Sequence, residues 1–328
     1  MKVGIIDCGT NTFNLLIAEK SETGWSVVFE NKLPVKLGAG GFDKKMIVES
    51  RFIRGIDALM CHKENAANFG CTTLKAIATS AIRESKNRYD FMRVAKQKLD
   101  LDIELIDGHR EAELIWKGIK QTIDLGTEAS LIIDIGGGST EFIIANATEI
   151  LWKESYLLGV SRLHEMIHPD DKMSATNVDY LHEILDENLG SLKDALKQYT
   201  CKQIVGSSGS FDTLYAMYKH SQKQLRDEPF KLLNEIPVTS FPGIHGWLIN
   251  STYEQRLLHK AIPSIRAEYM PLASYLVKYV LELSKFEKMY HSQYALKEGA
   301  AFELLEHVIV EPKQKDNNEE REETALAD

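Results

Sequence analysis

LIIDIGGGSTEFIIA, residues 131–145, contains two short apolar runs separated by three glycines. Short β-branched runs broken by glycines are typical of two strands joined by a tight turn. Glycines at such a turn leave backbone N–H groups uncovered, so the turn can form a concave anion site. Asp134 near the end of the first run and Glu141 at the start of the second add carboxylate oxygens beside it. Because Mg²⁺ prefers carboxylate and phosphate oxygens, the stretch predicts a site for a metal-bound phosphate.

A second copy of this pattern lies at the N-terminus. On the three glycines alone, an ordinary hairpin with acids near its rim is the better interpretation, because short motifs often match by chance. When the sequence is shifted by 127 positions, VGIIDCGTNTFNLLIA (residues 3–18) lies over SLIIDIGGGSTEFIIA (residues 130–145) without a gap. Four pairs coincide: Asp7 with Asp134, Gly9 with Gly136, Thr12 with Ser139, and Asn14 with Glu141. Two such copies predict a duplicated fold whose two loops face one cleft.

The composition narrows the class of protein. The chain has 328 residues, 44% of them hydrophobic and 27% charged, which suits a globular protein of two domains. No apolar run approaches the roughly 20 residues that span a bilayer, and the start MKVGIID lacks a signal-peptide pattern. The four cysteines lack metal-site spacing, which favours a reducing cytoplasm. A net charge of −9 argues against a dedicated nucleic-acid binder.

The first half of the chain alternates predicted strands and helices. Strands are predicted at Val3–Cys8, Phe13–Glu19, Trp25–Phe29, Thr73–Ala78 and Ile103–Ile106, and helices at residues 46–69, 87–99 and 109–120. Two hydroxyl residues and Arg83 directly follow the strand Thr73–Ala78. The planar guanidinium group of an arginine at this end of a strand can bind phosphate oxygens. A solvated arginine near a helix cap explains Arg83 equally well. Glu111 lies in the first turn of its helix, where an acid also meets the helix dipole favourably.

The second half is predicted with fewer strands. After three strands ending near Leu157, we expect one helix over residues 177–199, a strand at Gln203–Val205, and irregular structure over residues 220–243. The turn after that strand, residues 206–210, is either a phosphate or nucleotide contact or an ordinary strand-to-helix turn. Residues 251–254 resemble a capping box, residues 270–283 a buried segment, and residues 294–307 a final helix. A charged tail follows from Glu311.

The segment HEMIH, residues 164–168, matches the H-E-x-x-H signature of zinc proteases. That signature works only when both histidines share one face of a continuous helix. Pro169 follows His168 directly and disfavours helical geometry there. We therefore interpret the match as fortuitous.

Taken together, the motifs resemble the exopolyphosphatase and guanosine pentaphosphate phosphohydrolase family, within the actin-like and sugar-kinase-like superfamily. The matching pieces, in chain order, are IDCGTNTFNL, KLGAGGFD, ATSAIRESKN, DGHREAELIWKG, LIIDIGGGSTEF, LGVSRLHE, VGSSGS, IRAEYM and ALKEG. The resemblance extends from about Lys2 to Phe302. The sequence departs from the family pattern at Asn14, where histidine is common, and at Lys297, where arginine is usual.

The resemblance implies an α/β architecture of two ribonuclease-H-like (actin-like ATPase) domains with mixed sheets around a central cleft. Residues 1–122 would form the first domain, joined by a C-terminal helix at about 293–310; residues 123–292 would form the second, and residues 311–328 the charged tail. Glu111 would be the general base, and Asp134, Glu141 and Asp7 the Mg²⁺ site. The phosphate-binding residues would be Gly9, Thr10, Asn11, Thr12, Arg83, Gly136, Gly137, Gly138 and Ser139.

The implied activity is that of a cytoplasmic exopolyphosphatase, which releases orthophosphate from inorganic polyphosphate by Mg²⁺-assisted attack of water. Guanosine pentaphosphate is the alternative substrate, and the sequence leaves the choice open. A kinase or ATPase of the same superfamily would need an acceptor pocket and an adenosine site, and a non-catalytic alarmone-binding module would not need its acidic residues intact. We expect no nucleic-acid or membrane partner, and the resemblance allows a homodimer.

Overall fold

Two mixed β-sheets, one in each half of the chain, organise the molecule. The structure is a computed structural model and describes residues 1–22, 24–222 and 231–306. The first sheet has the strand order β3-β2-β1-β4-β5 and the second the order β10-β11-β9-β6-β7-β8. The strands of the first sheet are β1 (Lys2–Cys8), β2 (Thr12–Ser21), β3 (Gly24–Pro34), β4 (Thr73–Ala78) and β5 (Ile103–Leu105). Those of the second are β6 (Ser130–Ile135), β7 (Thr140–Ala145), β8 (Ile150–Tyr156), β9 (Gln203–Ser207), β10 (Leu233–Glu235) and β11 (Lys288–Ser292).

Helices connect and cover these sheets. In the first half they are α1 (Glu49–Asn68), α2 (Ser80–Arg83), α3 (Arg88–Leu99) and α4 (Gly108–Ile119). In the second half they are α5 (Val160–Ile167), α6 (Ala175–Asn188), α7 (Gly190–Gln198), α8 (Ser208–Ser221), α9 (Phe241–Asn250), α10 (Tyr253–Leu258), α11 (Met270–Leu283) and α12 (Leu296–Glu306). Within the described ranges, no helix combines the length and the apolarity that crossing a membrane requires.

The internal repeat seen in the sequence is a repeat of structure. Strands β1 and β2 form an antiparallel pair in which Asp7 lies opposite Asn14, and β6 and β7 form one in which Asp134 lies opposite Glu141. The next strand along the sheet, β4 or β9, is parallel to the first in both copies. The predicted class, α/β with two mixed sheets, is therefore confirmed. The domain boundaries at residues 122 and 292 stay a prediction.

Helices α4 and α12 lie between the two sheets. A buried apolar cluster joins Ile5 of the first sheet, Ile132 of the second, Ile115 of α4 and Ala301 of α12. Two glycines permit the close approach of these helices: a Cβ atom on Gly299 would lie 1.8 Å from the Leu114 carbonyl oxygen, and one on Gly118 would lie 2.1 Å from that of Ala295. Because real Cβ atoms do not approach backbone so closely, glycine is required at both positions.

Several predicted elements need correction. The helix predicted over residues 177–199 is two helices, α6 and α7, because Leu189 leaves helical geometry (φ −96°, ψ 24°) and glycine, a poor helix former, follows it. The segment predicted as irregular, residues 220–243, includes β10, a 3₁₀ turn at Val238–Ser240 and the start of α9, while residues 223–230 lie outside the described ranges.

Other boundaries shift by a few residues. Strand β3 continues to Pro34, beyond the predicted end at Phe29, and the capping box before α10 is formed by Thr252 and Gln255, one position after the predicted one. Helix α2 and strand β11 were not predicted. The charged tail, residues 311–328, lies outside the described residues.

Candidate active site

The two glycine turns meet at one cavity of about 560 Å³. In each turn the first glycine N–H donates to a carbonyl three residues later: Gly9 to Thr12 over 3.1 Å and Gly136 to Ser139 over 3.0 Å. The turns touch, because a Cβ atom on Gly137 would lie 2.9 Å from the Thr10 Cβ atom. The predicted residues that line this cavity are Asp7, Gly9, Thr10, Asn11, Thr12, Glu111, Asp134, Gly136, Gly137, Gly138 and Ser139.

Hydrogen-bond donors in this cavity lack acceptors. Within the described part of the chain, the backbone N–H groups of Thr10, Asn11, Gly137 and Gly138 donate no hydrogen bond. The hydroxyl of Ser80 is buried and has no partner either, and it lies where a Cβ on Gly138 would approach it to 2.6 Å. Buried donors normally find acceptors. Unsatisfied N–H and O–H groups on residues that line one cavity therefore suit an anion.

Asp7 and Asp134 face this cavity with only neutral partners. Asp7 accepts a hydrogen bond from Asn14 Nδ2 over 3.1 Å, and Asp134 accepts from Ser207 Oγ over 2.9 Å and Ser208 Oγ over 2.7 Å. Burial raises the pKa of Asp7 to about 6, and burial raises the pKa of Asp134 as well.

Glu141 stands behind Asp134 rather than in the cavity lining, and Ser155 Oγ donates to it over 2.7 Å. Burial, followed by the charge of Asp134, raises the pKa of Glu141 to about 7. Among the described residues, Asp7, Asp134 and Glu141 form no ion pair, so these buried carboxylates are suited to a cation. Among the residues that the structure describes, no three histidine, cysteine or acidic side chains form a complete metal cage. Mg²⁺ needs only one or two carboxylates when phosphates and water complete its shell, so the donor set fits that ion.

Glu111 lines the cavity, and Arg83, which is not in the lining, holds its carboxylate. Glu111 occupies the first turn of α4, which Asp107 caps by accepting a hydrogen bond from the Arg110 N–H over 2.7 Å. Arg83 Nη1 donates to Glu111 Oε2 over 2.9 Å and to the Ile106 carbonyl over 3.1 Å. Burial, then the charge of Glu141, raises the pKa of Glu111 well above its usual value, and Arg83 opposes that rise.

The position of α4 brings Glu111 close to the acidic residues. A Cβ atom on Gly108 would lie 2.3 Å from the Ser155 Cβ, so the N-terminus of α4 packs directly on β8. A carboxyl that serves only the helix dipole is normally exposed. Glu111 is 7% exposed and lines the cavity, so the helix dipole alone does not account for its position.

The same cavity contains functional candidates that the sequence patterns did not indicate. Asp212 accepts from His291 Nε2 over 3.0 Å and pairs with Arg266 over 3.3 Å. Although burial opposes the shift, the His291 hydrogen bond and the Arg266 charge lower the pKa of Asp212 to about 2. Lys32 and Lys297 also line the cavity. Asp212 and His291 are 79 positions apart, so no local pattern could have paired them.

The histidines of HEMIH do not share a helix face. Helix α5 ends at Ile167, and His168 adopts the left-handed conformation (φ 47°, ψ 59°) as its C-cap. His164 instead lies 3.5 Å from a carboxylate oxygen of Glu268. The geometry that a zinc-protease helix requires is therefore not formed by these residues.

A protein-family model matches most of this chain. The sequence model of the Ppx/GppA phosphatase family matches residues 16–308 of this chain. Among curated proteins, the chain is 26% identical over 300 residues to a guanosine-5'-triphosphate,3'-diphosphate pyrophosphatase of Vibrio vulnificus and 26% identical over 304 residues to one of Vibrio atlanticus. These alignments cover 92% of this chain, which spans 58% and 59% of the length of those relatives.

Solved structures agree. The crystal structure of an exopolyphosphatase from Cytophaga hutchinsonii is 33% identical, with a TM-score of 0.91 over 94% of this chain and 99% of that one. An Aquifex aeolicus member of the Ppx/GppA family is 22% identical with a TM-score of 0.78, over 94% of this chain and 99% of that one. The second likeness supports the fold alone.

Proposed function

Because this chain belongs to the Ppx/GppA phosphatase family, we propose that it is a phosphoanhydride hydrolase that removes the terminal phosphate of inorganic polyphosphate as orthophosphate. The observation that carries the proposal is the meeting of two equivalent glycine turns, with unsatisfied N–H donors, beside Glu111 in one cavity. A phosphate held there would lie next to a buried carboxylate able to accept a proton. The 33% identity to the Cytophaga exopolyphosphatase, over nearly all of both chains, supports inorganic polyphosphate as the first substrate.

The glycine turns would bind the terminal phosphate. The N–H groups of Thr10, Asn11, Gly137 and Gly138 and the Ser80 hydroxyl would donate to its oxygens. Donors fixed before the substrate arrives stabilise charge without reorganising, which is the main source of catalysis in phosphoryl transfer.

Asp134 and Glu141, with Asp7 nearby, would hold Mg²⁺. When bound, the ion would neutralise charge on the phosphate oxygens. The raised pKa values of Asp7 and Glu141 support this assignment, because burial, their main cause, disfavours the charged carboxylates and a bound cation would stabilise them.

Glu111 would be the general base, accepting a proton from the attacking water. The Arg83 hydrogen bond would orient the carboxylate and keep it sufficiently ionised to act near neutral pH, since burial alone favours the protonated form. Arg83 would then act through Glu111 as a positioning residue, in place of the direct phosphate contact predicted from the sequence.

Guanosine pentaphosphate is the second candidate substrate. The curated relatives named as guanosine-5'-triphosphate,3'-diphosphate pyrophosphatases support it, although they are longer than this chain. Both substrates end in a phosphoanhydride, so the same turns and base would serve either.

A phosphate-release assay tests the proposal. Purified protein would be supplied with inorganic polyphosphate, guanosine pentaphosphate or ATP with candidate acceptors, each with and without Mg²⁺. We expect orthophosphate from polyphosphate in the presence of Mg²⁺. Faster release from guanosine pentaphosphate would reverse the order of the candidates, and acceptor-dependent ADP formation would indicate a kinase. Binding of a guanosine nucleotide without any turnover would indicate a non-catalytic module.

A further inference from the structure

Two rows of polar side chains cross the sheets at equivalent places in the two copies. In the first sheet, Asp7 lies opposite Asn14, and Asn14 lies opposite Lys32 on β3. Residues directly opposite on neighbouring antiparallel strands project from the same face of the sheet. Asp7, Asn14 and Lys32 all line the cavity, so this face is the one that borders it.

The corresponding row of the second sheet has a different charge. Asp134 lies opposite Glu141, and Glu141 lies opposite Ser155 on β8. The second row therefore carries two carboxylates and no cation, whereas the first carries one carboxylate and one ammonium group. The duplicated scaffold places an anionic row beside one glycine turn and a row with a cation beside the other.

Among the described lysine and arginine residues that line the cavity, Lys32 forms no ion pair with a carboxylate. Lys297 pairs with Glu30 over 3.0 Å and with Glu298, and Arg266 pairs with Asp212. No hydrogen bond or ion pair engages the Lys32 side chain within residues 1–22, 24–222 and 231–306. Desolvation, followed by the positive charge of Arg266, lowers the pKa of Lys32, while the charges of Asp212 and Asp7 oppose that shift.

Lys32, from the first half of the chain, also lies near charged residues of the second half. Its ammonium group is within electrostatic range of Asp7, beside the first glycine turn, and of Asp212 and Arg266, which also line the cavity. A substrate whose terminal phosphate is bound by the glycine turns would extend its next phosphate toward this region.

We propose that Lys32 binds the penultimate phosphate, on the leaving side of the scissile bond, and stabilises it as the leaving group. This inference rests on the proposed hydrolysis. Water oxygen forms a bond to the terminal phosphorus and its proton goes to Glu111, while the bond from that phosphorus to the bridging oxygen breaks. The electron pair of that bond stays on the bridging oxygen, so the leaving phosphate gains negative charge where Lys32 can neutralise it.

The ligand class follows from this placement. A single orthophosphate would occupy the glycine turns without reaching Lys32, whereas a chain of two or more phosphates would engage both. Lys32 would thus distinguish phosphate chains from orthophosphate.

Kinetics and binding of two substitutions test the inference. Lys32→Gln removes the charge, and Lys32→Arg keeps it. Lys98→Gln is the matched control, because Lys98 is exposed on α3 in the same half of the molecule and does not line the cavity. Each variant would be assayed for phosphate release from tripolyphosphate with Mg²⁺. Titration calorimetry in a Glu111→Gln background would measure the binding of tripolyphosphate and of orthophosphate, and a thermal midpoint would monitor folding.

We expect Lys32→Gln to lower kcat/KM for tripolyphosphate about 10- to 100-fold, the effect of losing a charged hydrogen bond. Tripolyphosphate binding should weaken while orthophosphate binding stays unchanged, Lys32→Arg should retain much of the activity, and Lys98→Gln should match the wild type. The inference would be overturned if Lys32→Gln and Lys98→Gln had equal kinetics. It would also be overturned if Lys32→Gln weakened the binding of orthophosphate as much as the binding of tripolyphosphate.

Failure of the proposed function has a different signature. A wild-type protein that binds tripolyphosphate through Lys32 but releases no phosphate would refute the hydrolysis and keep the subsite. A wild-type protein that neither binds nor hydrolyses tripolyphosphate would refute both.

Discussion

Arg83 Nη1 lies 2.9 Å from Glu111 Oε2, and both side chains are largely buried. The pair joins α2, at the end of β4, to the first turn of α4. The Arg83 guanidinium also donates to the Ile106 carbonyl and lies 3.3 Å from Glu84, so its planar fork is engaged by protein acceptors. Because a charged hydrogen bond fixes both orientation and ionisation, Arg83 is placed to control Glu111.

Replacing Arg83 with glutamine should move the acid limb of the kcat/KM profile to higher pH. Arg83 lowers the pKa of Glu111, so its loss raises that pKa further. A base acts when deprotonated, and its activity is lost as pH falls through its pKa; the loss therefore begins at higher pH in the variant. We expect kcat/KM at neutral pH to fall about 10- to 100-fold.

The same pH series separates two roles for Arg83. Arg83→Lys keeps the positive charge and should shift the acid limb less than Arg83→Gln does. A higher KM with an unchanged acid limb would instead identify Arg83 as the direct phosphate contact.

Glu111→Gln should lower turnover about 10²- to 10⁴-fold, because the amide cannot accept the proton from water. Substrate binding should survive, since the glycine turns are unchanged. The matched control is Glu113→Gln on the same helix, where the Glu113 carboxylate pairs with Lys153 and Arg110. Turnover and thermal midpoint would be measured on the same preparations. Near-normal turnover of Glu111→Gln would remove Glu111 from the mechanism, and a loss of turnover in Glu113→Gln would then identify Glu113 as the next candidate.

Excess chelator should abolish phosphate release, and added Mg²⁺ should restore it. Asp134→Asn should raise the Mg²⁺ concentration needed for half-maximal activity, because one of the two proposed carboxylate ligands is lost. Asp194→Asn is a suitable control, since Asp194 lies on α7 in an exposed pair with Lys197. Full activity in chelator would refute the metal-assisted mechanism.

Gly299→Ala should destabilise the protein by about 1–3 kcal/mol or more, because the added methyl group would collide with the backbone of α4. Since α4 carries Glu111, turnover should fall as well. Gly190→Ala is the control: nothing lies within 4 Å of a Cβ atom at that position. Thermal midpoints of both variants check this, and equal midpoints would show that the α4–α12 contact can relax.

Protein purified without added metal should contain no stoichiometric zinc at His164 and His168, because the second histidine lies beyond the end of α5. Elemental analysis of the wild type and of a variant with alanine at both histidines provides the measurement. Zinc present at one equivalent in the wild type and absent from the double variant would contradict this.

The sequence by itself determined the features that depend on neighbouring residues. Glycines between β-branched runs dictate a strand–turn–strand unit, and the repeat of that unit predicted two anion-binding turns on a duplicated α/β fold. Asp134 and Glu141 could be paired in advance because a tight turn brings the residues on either side of it together.

Only the tertiary structure decided which distant groups share the cavity. Arg83 meets Glu111 across 28 positions, and Asp212 meets His291 across 79. Lys32 reaches the cavity because β3 continues past its predicted end and its register places Lys32 opposite Asn14. Local patterns constrain backbone conformation, which neighbouring side chains and turns control. The meeting of remote polar groups depends instead on strand register and on the packing of α4 and α12 between the sheets, which the whole chain determines.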